Sequence, residues 1–412
     1  MKVKHRIDTP WLNAPALAKV FEAIEGGGAE VRVVGGAVRD ALLGRTVSEI
    51  DLATTALPDY VIELAAQAEL GAHPTGLAHG TITIVADGQS FEVTTLRRDV
   101  ETDGRHAIVA FTTNWAEDAK RRDFTINALS CNRSGDVFDP AGGLDDLEAG
   151  RVRFIGDAAA RIREDYLRIL RFFRFSAIYA RGELDEEGRA ACVALQDGIT
   201  RLSGERVGAE MLKLLAAPRA SKVAAAMRDD GILHRVIGSN GNPGRLSRLQ
   251  AIEAALGDQP DAIRRLAALT LEAPSDVAPL ALRLRLSNAE AARLYAMIAG
   301  AETLLRSCGE TDDRVALYRL GPKEYADALR IAWAKSRAGA SDLSWRRRAL
   351  LPSHWTAPKM PYGGSDIVDL GVGPGPRVGA ILRAFEDWWI GENFPADAAL
   401  LNEKLAALAL EN

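Results

Sequence analysis

Short apolar runs separated by polar turns open the chain, and helical spacing takes over later. VRVV (31–34) is a β-branched run that reads as a strand. A Gly-Gly turn follows, then a short helical stretch, then a second apolar run, EIDLAT (49–54). TITIVADGQSFEVTTL alternates apolar and polar residues around Asp87-Gly88 and predicts a hairpin. DFTINALSCN (123–132) reads as a strand or strand edge; PDYVIELAAQAELG and WAEDAKRRD read as helices. Near Phe154-Ile155-Gly156 the pattern changes. From there the chain is Ala-, Leu- and Arg-rich with helical periodicity almost to its end. GSNGNPG (238–244) predicts a linker and TAPKMPYGGSD (356–366) a loop. No 20–50-residue repeat interrupts this order. The pattern predicts an α/β head, a small mixed β-sheet with helices, followed by an all-α remainder.

At 412 residues the chain is too long for one ordinary core, so several domains are expected. Its 51 basic and 56 acidic residues give a net charge of −5. Bulk charge therefore does not mark a nucleic-acid binder, and positive charge for RNA must be concentrated locally. Cys131, Cys192 and Cys308 are far apart and form no metal-binding spacing, which predicts reduced thiols. MKVKHRIDTPW has no apolar signal region, and no run is long enough to span a membrane. A cytoplasmic location is the expectation.

Candidate chemistry concentrates in the first half. Gly35-Gly36 before a helix suits close approach to phosphate. Glu49 and Asp51, one residue apart, are expected on one face of a strand, where they can hold a divalent metal. Glu92 is either a third carboxylate of that group or a solvent-facing strand residue. Arg121 and Arg122 can bind triphosphate oxygens or cap a helix C-terminus, and Asp123 can accept from a ribose hydroxyl. Arg97 to Trp115 is polar and Gly-containing, and reads as a mobile loop. Glu164 to Arg174 predicts a helix with Asp165, Arg168, Arg171 and Arg174 on nearly one face. Asp165 and Arg168 can read a Watson–Crick edge, or form a plain i,i+3 salt bridge. Ser203 reads as a helix start, and Glu210-Lys213 as an i,i+3 pair. Arg346 to Arg348, and the N–H groups around Gly375 to Gly379, offer further anion contacts.

Three of these segments carry a resemblance. GGAVRDALLG with Glu49 and Asp51, RRDFTINA and EDYLRILRFFRF stand in the order GGxVRDxLLG, RRDFTINA, EDxxRxxRxxRF. In this the chain resembles the class II tRNA nucleotidyltransferases (CCA-adding enzymes) and bacterial poly(A) polymerases. Glu49 stands where Asp is commoner. The resemblance implies a nucleotidyltransferase head (1–150), a neck carrying a nucleotide-base template (151–237), a body (238–340) and a tRNA-binding tail (341–412). It implies template-independent addition of CCA to tRNA from CTP and ATP, with release of pyrophosphate. Mg²⁺ would be held by Glu49 and Asp51, with Glu92 as the candidate third carboxylate. Phosphates would lie on Gly35, Gly36 and Arg39, and triphosphate and sugar on Arg121, Arg122 and Asp123. Asp165 and Arg168 would select the base, supported by Arg171 and Arg174. The tRNA would be gripped at its acceptor stem and T-arm, with neither DNA nor membrane as partner. The full-length Arg97–Trp115 segment favours complete CCA synthesis. Two alternatives stay open: a poly(A) polymerase adding AMP to RNA 3′ ends, and a catalytically inactive RNA-binding relative. Intact Glu49, Asp51, Arg122 and Asp165 argue against the latter.

Overall fold

The computed structural model describes residues 5–103, 106–307 and 309–410. Cys308, one of the expected thiols, lies outside them. The chain separates into two compact units, Met1–Asn240 and Gly241–Asn412, with the break inside the GSNGNPG segment.

In the first unit an eight-stranded sheet runs in the order β1-β10-β9-β2-β3-β6-β5-β4. Its strands are β1 His5–Arg6, β2 Val31–Val34, β3 Asp51–Thr54, β4 Gly71–Gly76, β5 Thr81–Ala86, β6 Gln89–Thr95, β9 Ser130–Cys131 and β10 Asp136–Phe138. β3 and β6 pair in parallel and the other neighbours are antiparallel. The helices of this unit are α1 Pro15–Gly26, α2 Gly36–Leu42, α3 Pro58–Gln67, α4 Trp115–Lys120, α5 Gly143–Ala149, α6 Ala158–Glu164, α7 Leu167–Tyr179, α8 Glu186–Ala194, α9 Gly204–Ala216, α10 Ala220–Asp229 and α11 Ile232–Ile237.

The expected hairpin forms, with Asp87 and Gly88 as its two-residue turn. Both have positive φ (50° and 76°), the pattern of a turn whose twist matches the flanking strands. Along β5 burial alternates: Ile82, Ile84 and Ala86 are covered, while Thr81, Thr83 and Val85 are half-buried. Helices α1 and α3 pack against β5 and account for the covered face.

Four elements differ from the sequence reading. EIDLAT is a strand only from Asp51. Its neighbour β2 ends at Val34, opposite Asp51, so Glu49 and Ile50 have no strand there to pair with. DFTINA is not a strand: Phe124 makes a single antiparallel bridge to Phe154, Thr125–Asn127 form a 3-10 turn, and a strand resumes only at Ser130–Cys131. The Asp123 carboxylate accepts from the Phe124 amide (2.8 Å) and the Asn127 side chain (2.9 Å), and this local bonding competes with a ladder. The expected mobile loop contains a two-stranded ribbon, β7 Arg97–Asp103 and β8 His106–Phe111; residues 104 and 105 lie outside the described ones. Finally, Glu164 to Arg174 is not one helix. Asp165 is extended (φ −154°) between α6 and α7.

Phe124 holds this part of the unit together. It is fully buried, with ring centroids 4.9 Å from Phe154 and 5.2 Å from Phe175. Phe172 stacks on Phe154 at 5.6 Å. The aromatic cluster therefore ties the RRDFTINA segment to α7.

The second unit is helical in its described residues: α12 Pro243–Leu256, α13 Ala262–Thr270, α14 Val277–Leu284, α15 Asn288–Arg306, α16 Glu310–Leu320, α17 Pro322–Ser336, α18 Leu343–His354, α19 Gly364–Asp369, α20 Pro376–Gly391 and α21 Ala398–Leu410. Ile367, Phe385, Trp389 and Leu405 form the core under its last three helices. No helix of the described residues is long and apolar enough to cross a membrane.

Phe124→Ala is expected to cost the first unit about 3–5 kcal/mol, read as a lowered urea midpoint, because it opens a cavity among three other rings.

Candidate active site

One cross-strand row carries the carboxylates. Val34 on β2 faces Asp51 on β3, Asp51 faces Glu92 on β6, Glu92 faces Thr83 on β5, and Thr83 faces His73 on β4. Partners at matching positions project to the same face. Asp51 and Glu92 therefore stand side by side, and Glu49 adds its field from the segment just before β3. Partial burial raises the Asp51 pKa first, the charges of Glu92 and Glu49 raise it further, and Arg122 opposes them. Among the described residues, no three His, Cys, Asp or Glu side chains are gathered as a complete metal cage.

At the Val34 end the chain turns into α2 through Gly35, whose φ of 68° and ψ of −117° suit glycine alone. A Cβ at Gly35 would lie 3.3 Å from Nη1 of Arg122. The Gly-Gly turn and the arginine of RRDFTINA are therefore neighbours, beside the carboxylate row.

Arg39, the cation inside GGAVRD, sits differently. It is 7% exposed and donates to Asn127 Oδ1 and to both oxygens of Asp40 (3.1 and 3.0 Å). Its guanidinium lies 4.2 Å from the Tyr179 ring centroid, and the Tyr179 hydroxyl donates to Asp40. Arg39 thus braces α2 against α7 from beneath.

The remaining arginines are held by acids. Asp118, 4% exposed on α4, accepts from Arg121 Nε (2.8 Å), Arg122 Nη2 (3.3 Å) and the Arg97 amide (3.3 Å). Burial pushes the Asp118 pKa up, but Arg122 and Arg121 outweigh it and hold the carboxyl below its usual range. Asp123 is buried and accepts from Arg171 Nε at 2.7 Å. Burial opposes its ionisation too, but Arg171 and the Asn127 and Phe124 donors win. Arg174 pairs with the buried Glu210 at 2.6 Å, and Arg171 lies 4.0 Å from the same carboxylate.

The expected i,i+3 pair of Asp165 with Arg168 does not form. Asp165 accepts from the Leu167 amide (3.0 Å) and pairs with Arg206 (2.6 Å). Its extended backbone takes it off the helix face that carries Arg168. Arg168 bonds Glu164, the Arg161 carbonyl (2.9 Å) and the Arg121 carbonyl (3.3 Å). The expected Glu210–Lys213 pair is replaced by Glu210–Arg174, because Glu210 faces inward on α9. Ser203 starts α9 as expected, without a side-chain cap bond.

Three residues that sequence reasoning did not place in the site complete the arrangement: Asp118, Arg206 and Glu210. Asp118 stands three and four residues before Arg121 and Arg122, and that helical spacing was a readable sign. Arg206 and Glu210 come from α9, and only the packing of α9 on α7 brings them in.

In the second unit, Arg348 makes bidentate bonds to Asp313 (2.8 and 2.9 Å) and Arg346 donates to the Ala255 carbonyl. Of the three consecutive arginines, Arg348 is therefore spent on structure, Arg346 is held to the fold, and Arg347 is exposed.

Two family models match the chain. Residues 31–153 match the "Poly A polymerase head domain", and residues 183–238 match the "Probable RNA and SrmB- binding site of polymerase A". The mouse (Mus musculus) protein "CCA tRNA nucleotidyltransferase 1, mitochondrial" is 34% identical over 370 residues, covering 87% of this chain and 82% of the relative. A "CCA-adding enzyme" of Lactobacillus delbrueckii subsp. bulgaricus is 32% identical over 367 residues, covering 88% and 90%. The solved Bacillus stearothermophilus CCA-adding enzyme in complex with CTP superposes with a TM-score of 0.75 at 27% identity, over 95% of this chain and 98% of that one.

Asp118→Asn is expected to cost about 3–5 kcal/mol, since two guanidiniums lose their buried counter-charge. The pH dependence follows from the depressed pKa. Asp118 stabilises fully above its unfolded value near 3.8, and that contribution fades as pH falls through the lower folded value. Urea titrations below about pH 4 should therefore show a shallower loss of stability in Asp118→Asn than in the unmodified protein.

Proposed function

The chain belongs to the CCA-adding tRNA nucleotidyltransferases, and from that premise we propose how its residues divide the reaction. The enzyme adds C, C and A to the 3′ end of tRNA from CTP and ATP without a nucleic-acid template. The tRNA 3′-hydroxyl attacks the α-phosphorus of the nucleotide, a new phosphodiester forms, and pyrophosphate leaves.

The observation that carries the site assignment is the convergence of the Gly35 turn, Arg122 and the Asp51–Glu92 pair. The turn and Arg122 bind the β- and γ-phosphates, with Arg121 held beside them by Asp118. Arg122 donates to oxygens that gain charge as pyrophosphate departs. Gly36 leaves room at the turn for a phosphate oxygen. Arg39 is a brace beneath that turn rather than a phosphate ligand. Asp123 keeps a ribose-binding role only if Arg171 yields it, so we assign Asp123 and Arg171 together to the sugar region. Arg174 positions Arg171 through their shared Glu210.

Members of this class use a divalent metal. The donor set fits one: every candidate is a hard carboxylate oxygen, and the repulsion from Glu92 and Glu49, which adds to burial in raising the Asp51 pKa, is what a cation relieves. Mg²⁺ is the proposed ion, held by Asp51 and Glu92 with Glu49 nearby. Mg²⁺ typically takes one or two carboxylates and completes its shell with water and substrate phosphates, so a full protein cage is not needed. When bound, it neutralises phosphate charge and lowers the pKa of the attacking hydroxyl.

Base choice is assigned to Asp165 and Arg168. In this structure Arg206 and Glu164 hold them, so an incoming base must exchange for these partners. The 1–150, 151–237, 238–340 and 341–412 partition remains the proposed division of labour, with the tail gripping the tRNA acceptor stem and T-arm. A cytoplasmic setting belongs to the same proposal. Cys131 and Cys192 are unpaired and buried, and burial pushes the Cys131 thiol up to about 12.

Incubation with tRNA lacking its CCA end and each labelled nucleotide should yield two C and one A. A homopolymeric A tail would instead identify a poly(A) polymerase. Asp51→Ala should abolish incorporation; unchanged incorporation would remove Asp51 from the site. Arg168→Ala should relax CTP selection more than it weakens tRNA binding. Equal loss of both would assign Arg168 to structure alone.

A further inference from the structure

The assignment above puts the leaving pyrophosphate at the Gly35–Arg122 end of the carboxylate row. In-line displacement puts the attacking oxygen on the opposite side of the phosphorus. The row continues past Glu92 to Thr83 and His73, away from Gly35. Each step is one strand spacing, so His73 lies roughly 10 Å beyond Glu92.

Three observations describe that region. The sheet face there is uncovered: β5 alternates between a packed aliphatic side and the half-buried side bearing Thr81, Thr83 and Val85. The open side is rich in hydroxyls rather than aliphatic groups. Thr75 and Thr83 hydroxyls lie 2.7 Å apart, Thr81 and Thr94 hydroxyls 3.0 Å apart, and Ser90 is exposed two residues from Glu92. A cavity of about 740 Å³ opens along residues 48–51, Thr83 and residues 88–92. It touches Asp51 and Glu92 but not Gly35 or Arg122. This is space for a polar group that approaches the carboxylates from the β5 side.

We propose that the open face of β4, β5 and the start of β6, centred on His73, Thr83 and Ser90, is the subsite for the terminal nucleotide of the RNA acceptor. The inference rests on the phosphate assignment made above. Neutral hydroxyls suit this ligand. They bond ribose hydroxyls and phosphate oxygens without fixing base identity, as an end that changes with every addition requires. The His73 imidazole adds a donor at the far edge, where the preceding phosphate would pass. Arg122 stays at the Gly35 end of the row with Arg121 beside it on Asp118, so the two substrates meet distinct chemistry across Asp51 and Glu92.

The test uses the full chain, Mg²⁺, CTP and tRNA lacking its CCA end. Thr83→Val with Ser90→Ala removes two donors and keeps the β-branched strand residue. The double variant should raise the KM for tRNA about tenfold, while the KM for CTP stays within about twofold. A melting temperature equal to that of the unmodified protein separates this effect from misfolding. In a second measurement, tRNA carrying a photoreactive terminal base should crosslink to peptides within residues 71–92. Unchanged tRNA KM, an equal rise in both KM values, or crosslinks confined to residues 118–128 or 161–174 would overturn the proposal. Failure of the functional reading looks different, because the unmodified protein itself would then incorporate no CMP into tRNA.

Discussion

An array of guanidiniums cannot be gathered at one place without carboxylates to hold it, and this constraint organises the first unit. Arg121, Arg122, Arg168, Arg171, Arg174 and Arg206 all converge on the region between the sheet and α7. Asp118, Asp123, Glu164, Asp165 and Glu210 answer them nearly one for one. The acids are mostly buried, and the arginines keep more of their surface. A buried carboxylate fixes a guanidinium in direction while leaving part of its donor fork for a ligand. The array is rigid where it meets protein and open where it meets substrate. It also keeps local charge modest, which agrees with a chain whose net charge is −5.

The sheet supplies the complementary half. Its covered face is aliphatic and its open face carries carboxylates and hydroxyls, so one set of strands serves as both core and chemistry. The parallel pairing of β3 with β6 brings Asp51 and Glu92 together, although 41 positions separate them in the chain. The aromatic cluster around Phe124 then fixes the arginine array against the sheet. The residue after Asp123 is thus its anchor, and Asp123 has little freedom to move.

Much of this was legible in the sequence because local patterns were strong. The hairpin at Asp87-Gly88 followed from alternation and turn chemistry, and Gly35-Gly36 from the need for an unusual backbone. What was not legible depended on pairing over distance. Nothing near Asp165 says that Arg206 is its partner, and Arg168 has two carboxylates within helical reach in the linear sequence, Glu164 and Asp165. The strand assignment of DFTINA failed because Asp123 bonds its own neighbours, an effect that apolar runs do not reveal. Glu49 was placed on a strand because periodicity does not say where the neighbouring strand stops. Glu92 could be read either way until the register set it opposite Asp51.

The Asp87-Gly88 turn has no chemistry, yet it sets a limit on how this chain can change length. Alternate residues of β6 belong to opposite faces, so one inserted residue between Gly88 and Glu92 would carry Glu92 toward the aliphatic side and Val93 toward solvent. Insertions are ordinarily tolerated in exposed hairpin tips. Here the tip behaves as a spacer of fixed count, and an insertion or deletion in it is equivalent to losing a carboxylate that lies several residues away.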